Sequence, residues 1–152
     1  MIQRLQTVFL ALAAIMMGLL FSNPMDFVSI DKPLPVGNSE SMLADGVFNT
    51  QDHVILLVLV VLGILIPAIT IFLFKNRPLQ MKLSRLAIAL VSLALVLTII
   101  LFYMDYQGIP VGTEITIDYG YLMPVLAIIF LALALRFIKK DEKLVRSADR
   151  LR

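Results

Sequence analysis

The stretch from Val54 to Phe74, VILLVLVVLGILIPAITIFLF, runs straight into Lys75-Asn76-Arg77-Pro78, and a second apolar run follows. An uncharged run of this length spans the roughly 30 Å hydrocarbon layer as a helix rising about 1.5 Å per residue. The basic turn behind it leaves room only for a reversal, with Pro78 suited to a first helical turn. The next run must then cross back. Working outward from this hairpin, two further apolar stretches appear, one behind Arg4 and one ending at Arg136. The expected spans are residues 5–22, 54–74, 84–104 and 122–138.

Charge supplies the orientation. Twelve of the thirteen Lys and Arg residues fall on one side of these spans: Arg4; Lys75, Arg77, Lys82 and Arg85; and Arg136, Lys139, Lys140, Lys143, Arg146, Arg150 and Arg152. Only Lys32 falls on the other side. Eight of the eleven acids lie opposite: Asp26, Asp31, Glu40, Asp45, Asp52, Asp105, Glu114 and Asp118. Basic residues are retained in the cytoplasm, so the bias predicts four passes with both termini inside. A hydrophobic fraction of 60% and a mean hydropathy of +0.94 over 152 residues exclude an ordinary soluble domain. The chain has no cysteine, which removes disulfides and thiolate chemistry. Arg4 followed by an apolar segment imitates a secretory leader, but Ser22-Asn23-Pro24-Met25 offers no small-x-small cleavage site, so a retained first helix is expected.

Within the spans the polar groups are few. Gln3, Gln6 and Thr7 sit on the inner end of the first span, where headgroups or partner helices can satisfy them. Ala11, Ala14 and Gly18 form a small-residue stripe suited to close packing within the chain. Gly63 and Pro67 interrupt the second span, and Pro67 removes a backbone bond and predicts a kink. Leu79, Leu83 and Leu86 share a face at the start of the third, and Lys82 and Arg85 can reach lipid phosphates. Ser92 and Thr98 can bond to their own helix. Phe102, Tyr103 and Tyr106, with Tyr119 and Tyr121, form an outer aromatic girdle. No Asp, Glu or Lys lies at the middle of a span, which argues against ion or proton transport.

The outer loops, 23–53 and 105–121, are too long to lack structure. Thr113-Glu114-Ile115-Thr116-Ile117-Asp118 alternates as a half-exposed strand does. Phe27-Val28-Ser29-Ile30 and Val47-Phe48 supply two more β-prone pieces. The expected fold is an all-α membrane protein: a four-transmembrane-helix bundle with N and C termini cytoplasmic, and a small β-hairpin or sheet cap formed by the two extracytoplasmic loops. It constitutes a single domain, and a cytoplasmic helical tail, 139–152, continues the fourth span.

The chemistry available is sparse. His53, the only histidine, stands beside Asp52, where it could act as a base or a pH sensor. There is no His/Cys/Asp/Glu cluster with metal spacing and no phosphate loop, so no cofactor or metal is expected. The tail is the more telling segment. Leu144, Ala148 and Leu151 recur at helical spacing beside Val145. Glu142 and Arg146 are spaced for an ion pair, and Asp149 stands three residues from Arg146 and from Arg152. Lys140, Lys143, Leu144, Arg146, Ala148, Arg150 and Leu151 are the candidate contacts for anionic headgroups of the inner leaflet or for a protein partner. Nucleic acid is not expected, because no aromatic residue interleaves with these charges.

The two ends, Met1-Ile2-Gln3-Arg4-Leu5-Gln6-Thr7-Val8 and Lys140-Asp141-Glu142-Lys143-Leu144-Val145-Arg146-Ser147-Ala148-Asp149-Arg150-Leu151-Arg152, resemble the opening and closing signatures of a family of small four-pass inner-membrane proteins of Bacteroidota, described as a domain of unknown function, family 4293. The resemblance implies four passes in the cell inner (cytoplasmic) membrane and lends no catalytic residue or cofactor. Three functions follow as expectations. The first is a non-enzymatic accessory or scaffold subunit acting through helix packing and its basic tail. The second is a binder or carrier of a lipid or small apolar molecule, using the Gly63/Pro67 break and the outer girdle. The third is an outer-surface enzyme built on His53 and its neighbouring carboxylates.

Overall fold

The computed structural model describes residues 2–22, 25–31, 42–74, 76–106, 108–110 and 112–149. Four helices carry the chain: α1 (Ile2–Leu19), α2 (Val54–Phe72), α3 (Arg77–Tyr106) and α4 (Leu122–Asp149). Three short strands, β1 (Val28–Ile30), β2 (Val47–Phe48) and β3 (Ile115–Ile117), lie between them, and a single 3₁₀ turn at Tyr119–Tyr121 leads into α4. The α2–α3 reversal falls where the basic turn was expected. Asn76 begins α3, its Oδ1 accepting the Leu79 N–H at 3.2 Å, ahead of Pro78 in the first turn.

Each helix packs on its neighbours in sequence, and α1 closes the ring against α4. The buried residues recur at alternating four- and three-residue steps in every helix. In α1 they are Gln6, Leu10, Ala13 and Met17, continued by Leu20. In α2 they are Leu56, Val60, Gly63, Pro67 and Thr70, with Leu59 buried beside them. In α3 they are Gln80, Ser84, Ala87, Val91, Ala94, Thr98 and Leu101. In α4 they are Ala127, Leu131, Ala134 and Ile138, preceded by Met123 and Pro124 in the first turn. This is a 3.5-residue repeat, the seam of a left-handed bundle. Small and polar side chains fill much of it, so the backbones approach closely. Many large aliphatics face outward: Ile15, Val58, Leu65, Ile69, Leu93, Val96, Ile99 and Ile129 are all exposed.

One expectation about the helices is revised. The Ala11/Ala14/Gly18 stripe is not the packing face of α1. All three are half-buried, and a Cβ placed on Gly18 would meet nothing within 4 Å. The face that packs is Gln6–Leu10–Ala13–Met17, all buried, with Met17 lying against Gly63 of α2. On α3, the face that Leu79 and Leu86 share is turned outward. Leu79 and Leu86 are exposed, and Gln80, Ser84 and Ala87 take the interior. Three helices, α2, α3 and α4, are long and apolar enough to cross a membrane, whereas the apolar part of α1 is the shorter Leu5–Leu19.

The outer loops form the expected sheet. β1 is central, antiparallel to β2 through Val28 opposite Phe48, and to β3 through Val28 opposite Ile117 and Ile30 opposite Ile115. Its underside is aromatic: the Phe27 ring lies 5.6 Å from Phe48 and 5.3 Å from Tyr121, with Phe27 and Phe48 fully buried. Gly120 fastens the cap to α4. Its N–H donates to the Asp26 carbonyl at 2.8 Å, and a Cβ there would overlap the Met25–Asp26 backbone. Only glycine permits that approach.

Candidate functional site

At the end of the bundle opposite the sheet, the starts of α1 and α3 meet the last turn of α2. Gln6 donates from Nε2 to Gln80 Oε1 at 2.8 Å, and Gln80 donates from its own Nε2 to the Thr70 carbonyl at 2.9 Å. All three residues are buried. Two amides thus join three helices, the second adding a bond to a Thr70 carbonyl that also accepts the Leu73 N–H at 3.2 Å. The sequence had left Gln6 to headgroups or partner helices, and a partner helix answers for it. Gln80 was missed. The signal was its spacing with Ser84, Ala87, Val91 and Ala94, which is quieter than the leucines beside it. Ser84 Oγ, also buried, has no hydrogen-bond partner.

One turn further out, Arg77 Nε sits 3.1 Å from Asp141 Oδ2, joining the start of α3 to α4 beyond Ile138. Ile138 is the last buried residue of α4 among those described. Past it the helix runs on to Asp149 with Lys139, Lys140 and Lys143 exposed, and with Leu144 50% and Val145 38% exposed. Of the other expected contacts, Arg146 and Ala148 fall in this helix with side chains outside the described set, as do the Glu142–Arg146 and Asp149 pairings. Arg150 and Leu151 lie outside the described residues. Lys82, Arg85 and Arg136 are exposed near the same end and give it a basic rim.

The opposite end is acidic. Asp105 Oδ2 accepts the Met42 N–H at 2.7 Å and ties the first outer loop to the end of α3. Asp52 Oδ2 accepts the Asn49 N–H at 2.6 Å and Asp45 Oδ1 the Val47 N–H at 3.2 Å, each closing a turn. Burial, with Asp118 and Asp45 nearby, pushes the Asp26 carboxyl above the usual aspartate range. Burial does the same for Asp52, reinforced by Asp45, Asp26 and Asp105 and partly offset by the Asn49 N–H. His53 gives α2 no side-chain cap, and its buried Nδ1 has no partner, nor does Thr50 Oγ1. The Asp52 carboxylate is thus engaged by a backbone turn. Among the described residues no three His, Cys, Asp or Glu side chains are grouped to hold a metal.

The Gly63/Pro67 break is filled rather than open. A Cβ on Gly63 would come within 3.0 Å of Met17 Cε and 3.3 Å of Val91 Cγ2, and Pro67 is buried. A small-molecule cavity has no room at that point.

A closed ring of helices with small and polar residues inside and large aliphatics outside, three of the helices long enough to cross a membrane, places the chain in the class of helical membrane-type proteins. It belongs to the family described as a domain of unknown function, DUF4293, which matches residues 2–151. No curated protein and no solved structure matches it.

Proposed function

We propose that the chain is a four-pass protein of the cell inner membrane, with both termini in the cytoplasm, serving as a non-enzymatic accessory or scaffold subunit. The observation that carries this reading is the course of α4. It continues about 16 Å past Ile138, at about 1.5 Å per residue, with no buried residue described beyond that point. So short a helix in water is marginal without tertiary packing. Leu144 and Val145, flanked by Lys140 and Lys143, offer an apolar contact for a membrane or cytosolic protein, while the lysines engage anionic headgroups. The Arg77–Asp141 pair fixes the direction in which the tail leaves the bundle. α1 supplies the fourth pass, its shorter apolar length met by thinning of the bilayer or by neighbouring helices.

The test is a gentle-detergent pull-down at native level of the full chain beside a chain ending at Lys139. The expected result is a defined set of partners lost on truncation, with membrane insertion unchanged. Recovery of the same complex from both would overturn the tail's role. A second reading, binding of a lipid or small apolar molecule, is favoured at the outer end by a cavity beside Tyr103 and Tyr106.

A further inference from the structure

That cavity, of about 520 Å³, lies between the end of α3 and the segment leading to β3, and Tyr103, Tyr106, Ile109, Pro110, Thr113 and Ile115 line it. We propose that it holds the ammonium headgroup of a membrane lipid of the phosphatidylethanolamine type. This rests on the second reading above and names its ligand.

Three observations select the class. First, Tyr103 and Tyr106 end a stripe on α3 that begins with Val96 and Ile99 at three- and four-residue steps, all four residues exposed. The aliphatic part offers a track for an acyl chain, and the track leads directly into the aromatic lining. A free soluble amine would have no use for it. Second, no Lys or Arg occurs between Arg85 and Arg136, so no cationic side chain of β3, or of the parts of α3 and α4 nearest it, favours a net anionic headgroup over a zwitterionic one. Third, the charged residues neighbouring the lining residues in sequence are acidic. Asp105 stands between the two lining tyrosines in sequence, its carboxylate held by the Met42 N–H, and Glu114 stands between Thr113 and Ile115. The C-terminus of α3 adds the negative end of a helix dipole. Phenol faces attract an ammonium group, and the Phe102 ring, 6.0 Å from that of Tyr106, holds one of them in place.

The experiment is native mass spectrometry of the full chain, released from detergent micelles supplied with phosphatidylethanolamine or phosphatidylglycerol of identical acyl chains. The ethanolamine lipid is expected to be retained about tenfold better, a margin within reach of an ammonium–aromatic contact. Y103L/Y106L, which keeps the apolar volume at two exposed positions, is expected to abolish the preference, and Y103F/Y106F to keep it. Equal or better retention of the glycerol lipid, or an undiminished preference in Y103L/Y106L, would overturn the headgroup assignment alone. Retention of neither lipid would overturn the lipid-binding reading with it.

Discussion

Gln80 shows how much one side chain can decide in a bundle whose surroundings are apolar. Its amide accepts from Gln6 and donates to the Thr70 carbonyl, and all three groups are withdrawn from water. Gln80→Leu removes both bonds and leaves the Gln6 amide unpaired in the interior. The expected loss is about 1–3 kcal/mol, the cost of an orphaned buried polar group, with the low end set by values for helix–helix bonds in membranes. A thermal unfolding series in detergent measures it. The double variant Gln6→Leu/Gln80→Leu is expected to recover part of the loss, since removing both partners leaves no orphan between the two side chains. In the sequence Gln6 was visible as a polar residue near an interface, but its partner, seventy-four positions away, was not. Nothing local distinguishes a glutamine in the first turn of a membrane helix that faces headgroups from one that faces a neighbour.

The helices and the strands were legible to different degrees, for one physical reason. The alternation of Thr113–Asp118 announces β3, although Ile117 is 72% exposed, and in β1 Val28 and Ile30 are buried on either side of the half-buried Ser29. A helix in lipid is apolar on every side, and hydropathy marks its length but is silent on its inner face. The inner face is marked instead by small residues at Ala87, Ala94, Ala127 and Ala134 among larger ones such as Val91 and Leu131, while equally hydrophobic positions such as Leu93 and Ile129 point outward. This is why the Ala11/Ala14/Gly18 stripe misled while Ala13 did not stand out. The seam makes a paired prediction. Ala94→Leu adds three carbons where Ala94 is 2% exposed and is expected to cost about 1–3 kcal/mol by overpacking. Its neighbour Leu93, 54% exposed, is expected to tolerate alanine with little change in melting temperature. Equal effects from the two substitutions would contradict the seam.

At the scale of the molecule the two ends differ in chemistry as in charge. The sheet end holds Asp26, Asp45, Asp52, Asp105 and Asp118, and Lys32, the only basic residue of the segments expected outside, lies outside the described residues. Burial and mutual repulsion raise the Asp26 and Asp52 carboxyls, so the folded cap binds protons more readily than the unfolded chain. For raised carboxyls, stability therefore increases as pH falls through their folded values towards the ordinary aspartate value, and no more is gained below it. The cap is expected to be firmer in weakly acidic medium than at neutrality. Amide exchange at Phe27–Ile30 measures this, and Asp26→Asn/Asp52→Asn is expected to flatten the dependence. The basic end, by contrast, carries Arg77 bonded to Asp141 and the exposed lysines of the tail. The asymmetry of charge was plain in the sequence, whereas the closing of α1 on α4 and the bracing of the tail depend on contacts between distant segments. The central claim is that the cap faces outward and the tail faces the cytoplasm. Because the chain has no cysteine, single substitutions at Thr116 in β3 and Ser147 in α4 report on it directly, through a membrane-impermeant maleimide applied to intact spheroplasts. Labelling at Thr116→Cys, with Ser147→Cys protected until the cells are lysed, is the predicted result; labelling of Ser147→Cys from outside, or of neither position before lysis, would contradict it.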